Sequence, residues 1–187
     1  AVNLSDLEVS ELILCNADYS NLDNITINGS QNYNNNMLFI HRTEYANISN
    51  IYSSNNRYGL YIHSSENNKI TNVTANGNDY GVEIYYAYYN NLSNIEANDN
   101  DYGVEFGVTT HNNILNNLTA NSNYFYGIYL AWNSDYNTIA NSTFSDNGYA
   151  GIYIRKVSSS IPENNTIYNC LFNNSINVKI DDGIPSP

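Results

Sequence analysis

Apolar and polar residues alternate with a period of two along this chain, and the same short patterns return at intervals of mostly 22 to 24 residues. One pattern, aromatic-Gly-apolar-x-apolar with Ala in place of the aromatic in its last copy, occupies residues 58–62, 80–84, 102–106, 126–130 and 150–154. A second pattern, apolar-x-Asn, starts at Leu22, Ile48, Ile70, Leu92, Leu115, Ile139 and Ile167, and Leu4, Leu7 and Val9 fit an eighth copy. Such alternation is typical of strands with one buried face.

Equivalent strands that return at this interval without helices between them predict a coil whose strands run parallel from rung to rung. We therefore expect an all-β, right-handed parallel β-helix of about eight rungs. It should form a single domain over residues 1–187, with repeats at about 4–180 and an acidic, proline-containing tail at 181–187. Two apolar columns should line the interior: Leu12, Leu38, Leu60, Val82, Val104, Ile128, Ile152 and Ile176, and Leu14, Ile40, Ile62, Ile84, Phe106, Leu130, Ile154 and Val178.

One column of the second pattern is asparagine in seven copies, with Asp6 in the first. Its members are Asn24, Asn50, Asn72, Asn94, Asn117, Asn141 and Asn169. Asparagine tolerates a left-handed backbone, and stacked amides can hydrogen-bond from rung to rung. We expect an Asn ladder at a corner, too enclosed to carry glycans. The glycosylation sequons outside this column are Asn3, Asn28, Asn47, Asn91, Asn164 and Asn173.

The repeats, for example residues 137–154 (NTIANSTFSDNGYAGIYI), resemble the NosD-like and pectate-lyase-like β-helix repeat of bacterial and archaeal surface and periplasmic proteins. The resemblance extends from residue 4 to about 180 and implies a prokaryotic surface protein, of archaeal type. Repeats of this kind serve lyases, hydrolases, epimerases, adhesins and surface-layer proteins alike. The enzymes of the family use clustered Asp with a basic partner, and no Gly-His-Gly or Asp-Asp cluster occurs mid-array here, so we expect no enzyme.

The charge balance narrows the range of partners. A net charge of −12 with only six Lys and Arg excludes a nucleic-acid footprint and disfavours an anionic membrane surface. No apolar run approaches the ~20 residues of a membrane span. The opening Ala1-Val2-Asn3 suits a mature secreted product, so we expect an extracellular, cell-surface location.

Acidic residues and histidines recur in columns on adjacent rungs. Glu83 and Glu105 share one outward column, and Asp79 and Asp101 share another. Two functional interpretations are a Ca²⁺ site and an acid/base pair on a saccharide cleft; the alternative is two solvated acids on near-duplicate repeats. His41 and His63 also share a column and are weak metal candidates, with ordinary surface stacking as the alternative. No other cofactor is expected.

Aromatic residues crowd one turn at Tyr85, Tyr86, Tyr88 and Tyr89, and Trp132 lies at the equivalent turn of a later rung. These rings could contact sugars or another protein chain, or they could stack along the solenoid itself.

Cys15 belongs to the first rung and Cys170 to the last full rung, too far apart to bond within one rod. They could be free thiols or form a disulfide between subunits. Because neither end carries an obvious capping helix, rods could stack end to end.

The main functional hypothesis is therefore a structural subunit of a sheath, surface layer or filament, in which the chain is its own partner through end-to-end and lateral contacts. The alternative is a saccharide-binding or saccharide-modifying β-helix, and a third hypothesis is a Ca²⁺-stabilised adhesin module.

Overall fold

The computed structural model describes residues 1–29 and 36–182, and every regular element within them is a β-strand. In chain order the strands are β1 (Asn3–Val9), β2 (Leu12–Cys15), β3 (Asn21–Asn28), β4 (Met37–His41), β5 (Asn47–Ser54), β6 (Tyr58–His63), β7 (Lys69–Thr74), β8 (Tyr80–Tyr85), β9 (Asn91–Glu96), β10 (Tyr102–Phe106), β11 (Ile114–Thr119), β12 (Tyr126–Leu130), β13 (Thr138–Ala140), β14 (Thr143–Ser145), β15 (Ala150–Arg155), β16 (Thr166–Tyr168), β17 (Leu171–Asn173) and β18 (Val178–Asp181). No helix in these residues is long and apolar enough to span a membrane.

The strands form two parallel sheets that run the length of the molecule. The first sheet has the order β1-β3-β5-β7-β9-β11-β13-β16, with β14 and β17 paired beside its last strands. The second has the order β18-β15-β12-β10-β8-β6-β4-β2. Strands that follow one another in the chain thus alternate between sheets, which makes a solenoid of about seven turns and confirms the predicted parallel β-helix.

The rung length is less uniform than the sequence pattern predicts. Asparagines paired across neighbouring rungs are 22 to 24 residues apart in the middle of the chain, but 18 or 26 near the start and 28 near the end. The predicted interior columns are correct except in the last rung, where Ile152 pairs with Val178 and Ile154 with Ile180. Val178 thus takes the place predicted for Ile176, because a longer loop precedes β18. Asp181, predicted to begin the tail, belongs to β18, and residues 183–187 lie outside the described part.

The core is a continuous apolar column between the sheets. Large side chains such as Phe106 and Phe144 are fully buried in it, together with most of the predicted interior residues. The glycine of the aromatic-Gly-apolar pattern allows the backbone to pack closely from rung to rung. A Cβ added at Gly81 would lie 2.5 Å from the carbonyl oxygen of Gly103, so no larger residue fits there without a backbone shift.

Two further asparagine ladders, not predicted from the sequence, lie buried at the corners on either side of the second sheet. One consists of Asn68, Asn90, Asn113, Asn137 and Asn165, and the other of Asn56, Asn78, Asn100, Asn123, Asn147 and Asn174. In each, the side-chain oxygen accepts from the backbone N–H of the preceding rung, as Asn90 does from Asn68 at 3.0 Å. The side-chain NH₂ donates to a carbonyl, as from Asn90 to Ser65 at 3.0 Å. These amides satisfy backbone groups that the strand ladders leave unpaired at the corners.

The predicted Asn column forms a third ladder, and it faces outward. Its members have a left-handed backbone, such as φ 55° at Asn72, and pass hydrogen bonds along the rod, as from Asn94 to Asn72 at 3.0 Å. Two steps are shifted by one residue: Asn50 donates to Asp23, and Asn141 to Asn116. The expectation that these amides are enclosed is wrong, because the whole column is exposed to solvent. The left-handed corner, rather than burial, selects asparagine at these positions.

The buried ladder should contribute strongly to stability. Replacing Asn90 by Ala leaves the Asn68 N–H without a partner in a buried corner and removes one of the two donors to the Ser65 carbonyl. We expect Asn90→Ala to lower the free energy of unfolding by about 3 kcal/mol, as measured by urea denaturation. The matched control is Asn91→Ala on the adjacent, exposed residue, which should change it by less than about 1 kcal/mol. Equal losses in both variants would contradict a specific role for the buried ladder.

Candidate functional site

The outer face of the second sheet gathers most of the chemically distinctive residues. Its central column consists of Ile13, Phe39, Tyr61, Glu83, Glu105, Tyr129, Tyr153 and Lys179, in register from rung to rung. One flanking column contains Met37, Tyr58, Tyr80, Tyr102, Tyr126 and Ala150. The other begins with Cys15, His41, His63 and Tyr85. We refer to these three columns as the tyrosine face.

Glu83 and Glu105 lie directly beside each other at the centre of the tyrosine face. Each is only 9% exposed, so the expectation of two solvated acids is wrong. Burial raises the pKa of Glu83 from 4.5 to about 7, an effect that Arg57 partly offsets. Burial, together with the neighbouring Glu83, raises the pKa of Glu105 to about 8. At neutral pH the pair therefore holds at least one proton, which relieves the repulsion between the two carboxylates.

The tyrosines around this pair stack on one another along the rod. Ring centroids are 5.1 Å apart between Tyr58 and Tyr80, and 4.9 Å between Tyr80 and Tyr102, with nearly parallel planes. Because the ring faces of Tyr80 contact the next rungs, its edge and hydroxyl group are what remains for solvent. The flanking column thus provides a row of phenol groups rather than flat platforms for sugar rings.

Tyr85 lies beside the glutamate pair, on the side opposite the row of stacked tyrosines, and Gly107 leaves room for its ring. Its ring lies over Gly107, where an added Cβ would approach the Tyr85 Cδ2 to 2.6 Å. The ring also stacks on His63, with centroids 5.5 Å apart. Burial and the charges of Glu83 and Glu105 raise the pKa of Tyr85, among other causes, so its phenol lies within electrostatic range of both carboxyls.

His41 and His63 approach each other closely at the first rungs of the same face. Their Nδ1 atoms are 3.1 Å apart, and the Ser64 hydroxyl lies 3.0 Å from the His63 Nδ1. Desolvation, with further contributions from His41 and Arg42, lowers the pKa of His63. Cys15 precedes His41 in the same column.

The remaining predicted sites are spread over other surfaces. Asp79 and Asp101 are largely exposed, at the turns that lead into β8 and β10. Partial desolvation, together with the neighbouring Asp101, raises the pKa of Asp79. Tyr86, Tyr89 and Trp132 are exposed at the turns, whereas Tyr85 and Tyr88 are half-buried. All six sequon asparagines outside the outward ladder are exposed: Asn3, Asn28, Asn47, Asn91, Asn164 and Asn173.

The two cysteines lie at opposite ends of the described solenoid and are both free. Cys15 is exposed at the end of β2. Cys170 is half-buried and packs against the core cluster, as expected for its inward position. Neither forms a disulfide with another described residue.

Sequence reasoning missed several residues of the tyrosine face. Tyr61 and Tyr129 precede and follow the glutamates in the central column, and Arg57 lies over the ring of Tyr58 at 5.1 Å. The register of Tyr61 and Tyr129 was visible in the sequence, since both occupy the x position of the same Gly-apolar-x-apolar pattern as the glutamates. The burial of the two carboxyl groups by these rings was not visible, because burial depends on the sizes of neighbouring side chains.

The stacked parallel strands and continuous core place this protein among the parallel β-helix proteins. Residues 16–181 match the family described as "Periplasmic copper-binding protein (NosD)". The chain belongs to this family, and the expected location outside the cytoplasm agrees with it. No curated protein matches the chain significantly.

Solved structures show the same fold in proteins of distant sequence. A double mutant of the periplasmic alginate epimerase AlgG matches with a TM-score of 0.68 at 15% identity, over 91% of this chain and 46% of that one. AlgG without those mutations matches with a TM-score of 0.61 at 14% identity, over the same shares. The chain therefore spans less than half the length of these AlgG structures, and the likeness shows the fold alone.

The copper in the family's description needs a donor set that residues 1–29 and 36–182 do not complete. No group of three or more His, Cys, Asp or Glu residues in the described ranges could hold a metal ion. His41 and His63 supply two imidazole nitrogens, and two ligands leave the remaining coordination positions to be filled from outside. The described residues therefore do not fit a copper centre.

The buried glutamates should make stability depend on pH. The pKa of each is higher in the folded protein than its ordinary value of 4.5, so folding is most favourable below that value. Stability is then lost as the pH rises through about 7 and about 8. We expect the free energy of unfolding, measured in urea, to fall by about 3 kcal/mol or more between pH 6 and pH 9.

Removing the charges should abolish this loss. Glu83→Gln with Glu105→Gln keeps the shape of both side chains and should flatten the profile above pH 6. The control is Glu96→Gln on exposed Glu96 of the first sheet, which should leave the decline intact. A double variant that still loses stability as steeply as the parent would show that other groups cause it.

Proposed function

We propose that this protein binds a saccharide along the tyrosine face, with Glu83 and Glu105 as the polar centre of the site. One observation carries the proposal: two carboxyl groups lie on the outside of a sheet, yet are withdrawn from water. Burial of an apolar core side chain stabilises the fold, whereas burial of a carboxyl group on the outer face costs its hydration free energy. Costs of this kind concentrate at binding and catalytic sites.

The chemistry of the face suits a carbohydrate. Phenol groups of Tyr58, Tyr80 and Tyr102 follow one another at about one strand spacing and can hydrogen-bond successive sugar hydroxyls. The shape is an extended strip rather than a closed cavity, which fits a chain-like ligand. The solved structures of similar fold include an alginate epimerase, which makes polysaccharides the first ligand class to test.

The same pair supports saccharide modification as a second function. Burial raises the pKa of both carboxyls, so at neutral pH the pair can hold one proton to donate and one carboxylate to accept another. Two carboxyls with separated pKa values are the usual equipment for acid–base chemistry at a sugar. The glutamate pair therefore reopens the possibility of an enzyme, which the sequence led us not to expect. Product analysis tests it: if the protein modifies a saccharide, Glu105→Gln should abolish the product. An unchanged yield of product in this variant would dismiss the catalytic role.

The assembly hypothesis retains its own support. Cys15 and Cys170 are free at opposite ends, and the last described strand exposes Val178 and Ile180. We propose it as the competing function for a secreted surface protein. Sedimentation at high concentration, with and without reductant, tests it: a monomer in both conditions counts against assembly, and a Cys15→Ser variant should weaken a disulfide-locked polymer.

Loss of Tyr85 should weaken saccharide binding without unfolding the protein. Tyr85 is half-buried at the margin of the face, so Tyr85→Ala removes the wall beside Glu105 while leaving the core intact. We expect affinity for the best ligand of a glycan panel, measured by calorimetry, to fall by about ten-fold or more.

The matched control is Tyr52→Ala, because Tyr52 is 50% exposed on the first sheet. It should bind like the parent. The proposal fails if the parent binds no glycan of the panel, or if the two variants lose affinity equally.

A further inference from the structure

The glutamate pair lacks a hydrogen-bond donor that a ligand could supply. Glu83 is only 9% exposed, and its Oε2 atom is buried without a hydrogen-bond partner in the described part of the chain. Buried polar atoms in folded proteins are nearly always satisfied, and an orphaned one marks a site that is completed by something else.

The surroundings of this atom restrict what can complete it. Tyr61 and Tyr129 lie on the adjoining rungs of the central column, and Tyr85 covers the gap above Gly107. The pair thus lies in a frame of aromatic rings, and the described residues offer no group of three or more His, Cys, Asp or Glu that could hold a metal ion there. The ring of Tyr85 is half-exposed, lies over Gly107 on one side and stacks on His63 on the other.

Three ligand classes can be compared at this position. A hard cation such as Ca²⁺ requires six to eight oxygen ligands, and two carboxyls among aromatic rings do not provide them. An acidic sugar would bring a further negative charge to two carboxyls on a chain of net charge −12. A neutral sugar can donate from a hydroxyl but leaves the charge of an ionised carboxylate uncompensated.

A protonated primary amine meets each requirement. It has three N–H donors, one of which can reach the Glu83 Oε2. Its positive charge favours the ionised form of the two carboxyls, and aromatic rings such as Tyr61 and Tyr85 attract cations. The overall negative charge of the protein also favours the approach of a cationic polymer.

We infer that the ligand of the tyrosine face is a glycan with free amino groups, and that one ammonium group binds between Glu83 and Glu105. This inference rests on the proposed saccharide function and specifies its ligand class. On binding, the Tyr85 ring turns away from Gly107 to admit the amine, while the tyrosine row contacts the neighbouring sugar units.

Oligomers that differ only in acetylation test this inference. Glucosamine oligomers carry free amines, N-acetylglucosamine oligomers of the same length are neutral, and mannuronan oligomers are acidic. We expect calorimetry at pH 7 and low ionic strength to show the glucosamine oligomer binding at least about ten-fold tighter than the other two.

Variants locate the amine at the carboxyl pair. Glu83→Gln and Glu105→Gln keep the side-chain shape and should each weaken glucosamine-oligomer binding by about ten-fold or more. Glu96→Gln, on the exposed surface of the first sheet, should bind like the parent. Circular dichroism checks that each variant is folded; if a glutamine variant is not, the selectivity of the parent protein alone decides.

The outcomes separate the two proposals. If acetylated or acidic oligomers bind as tightly as glucosamine oligomers and Tyr85→Ala weakens them, the saccharide function stands and the amine inference is overturned. Folded glutamine variants that bind glucosamine oligomers like the parent overturn it as well. If no oligomer binds the parent, the saccharide function and the amine inference both fail.

Discussion

The structure depends on how the backbone is satisfied where the chain turns. Parallel strands pair their own N–H and C=O groups, but each rung must turn between the sheets, and the turning residues lose those partners. Buried side chains such as Asn68, Asn90 and Asn113 restore them, because each amide bonds a backbone group and the next amide in one step. A side chain with both a donor and an acceptor is required at every corner, which explains why roughly a fifth of the chain is asparagine.

Once the corners are fixed, the register of the side chains on the outer faces of the sheets is fixed as well. Repeats of 22 residues in the central rungs set residue above residue, so Glu105 can only lie beside Glu83, and Tyr102 beside Tyr80. Like side chains then become neighbours whether or not they attract. The tyrosines gain from this by stacking, whereas the glutamates would repel and instead keep a proton. The chemistry of the face is therefore a direct consequence of the repeat.

The register could be predicted from the sequence, but burial outside the core could not. Period-two alternation fixes which side of a strand a residue takes, and it placed Leu60 inward and Glu83 outward correctly. It cannot tell whether an outward residue is covered, because that depends on neighbours such as Tyr85 resting on Gly107. The last rung was misaligned by two residues for a related reason: Ile176 and Val178 are both apolar, and only the loop length distinguishes them.

The position of the unusual chemistry favours the side of the rod over its ends as the place of function. Assembly through open rungs would need no burial of Glu83 and Glu105, since backbone pairing and apolar contacts suffice to join strands. A ligand that lies along the side of the rod would account for the buried pair, because on that side one molecule can contact several rungs at once. The net charge of −12 points the same way: it would oppose lateral packing of identical rods, yet it attracts a cationic chain. Fold and charge thus both support the proposal that this surface binds a partner unlike itself.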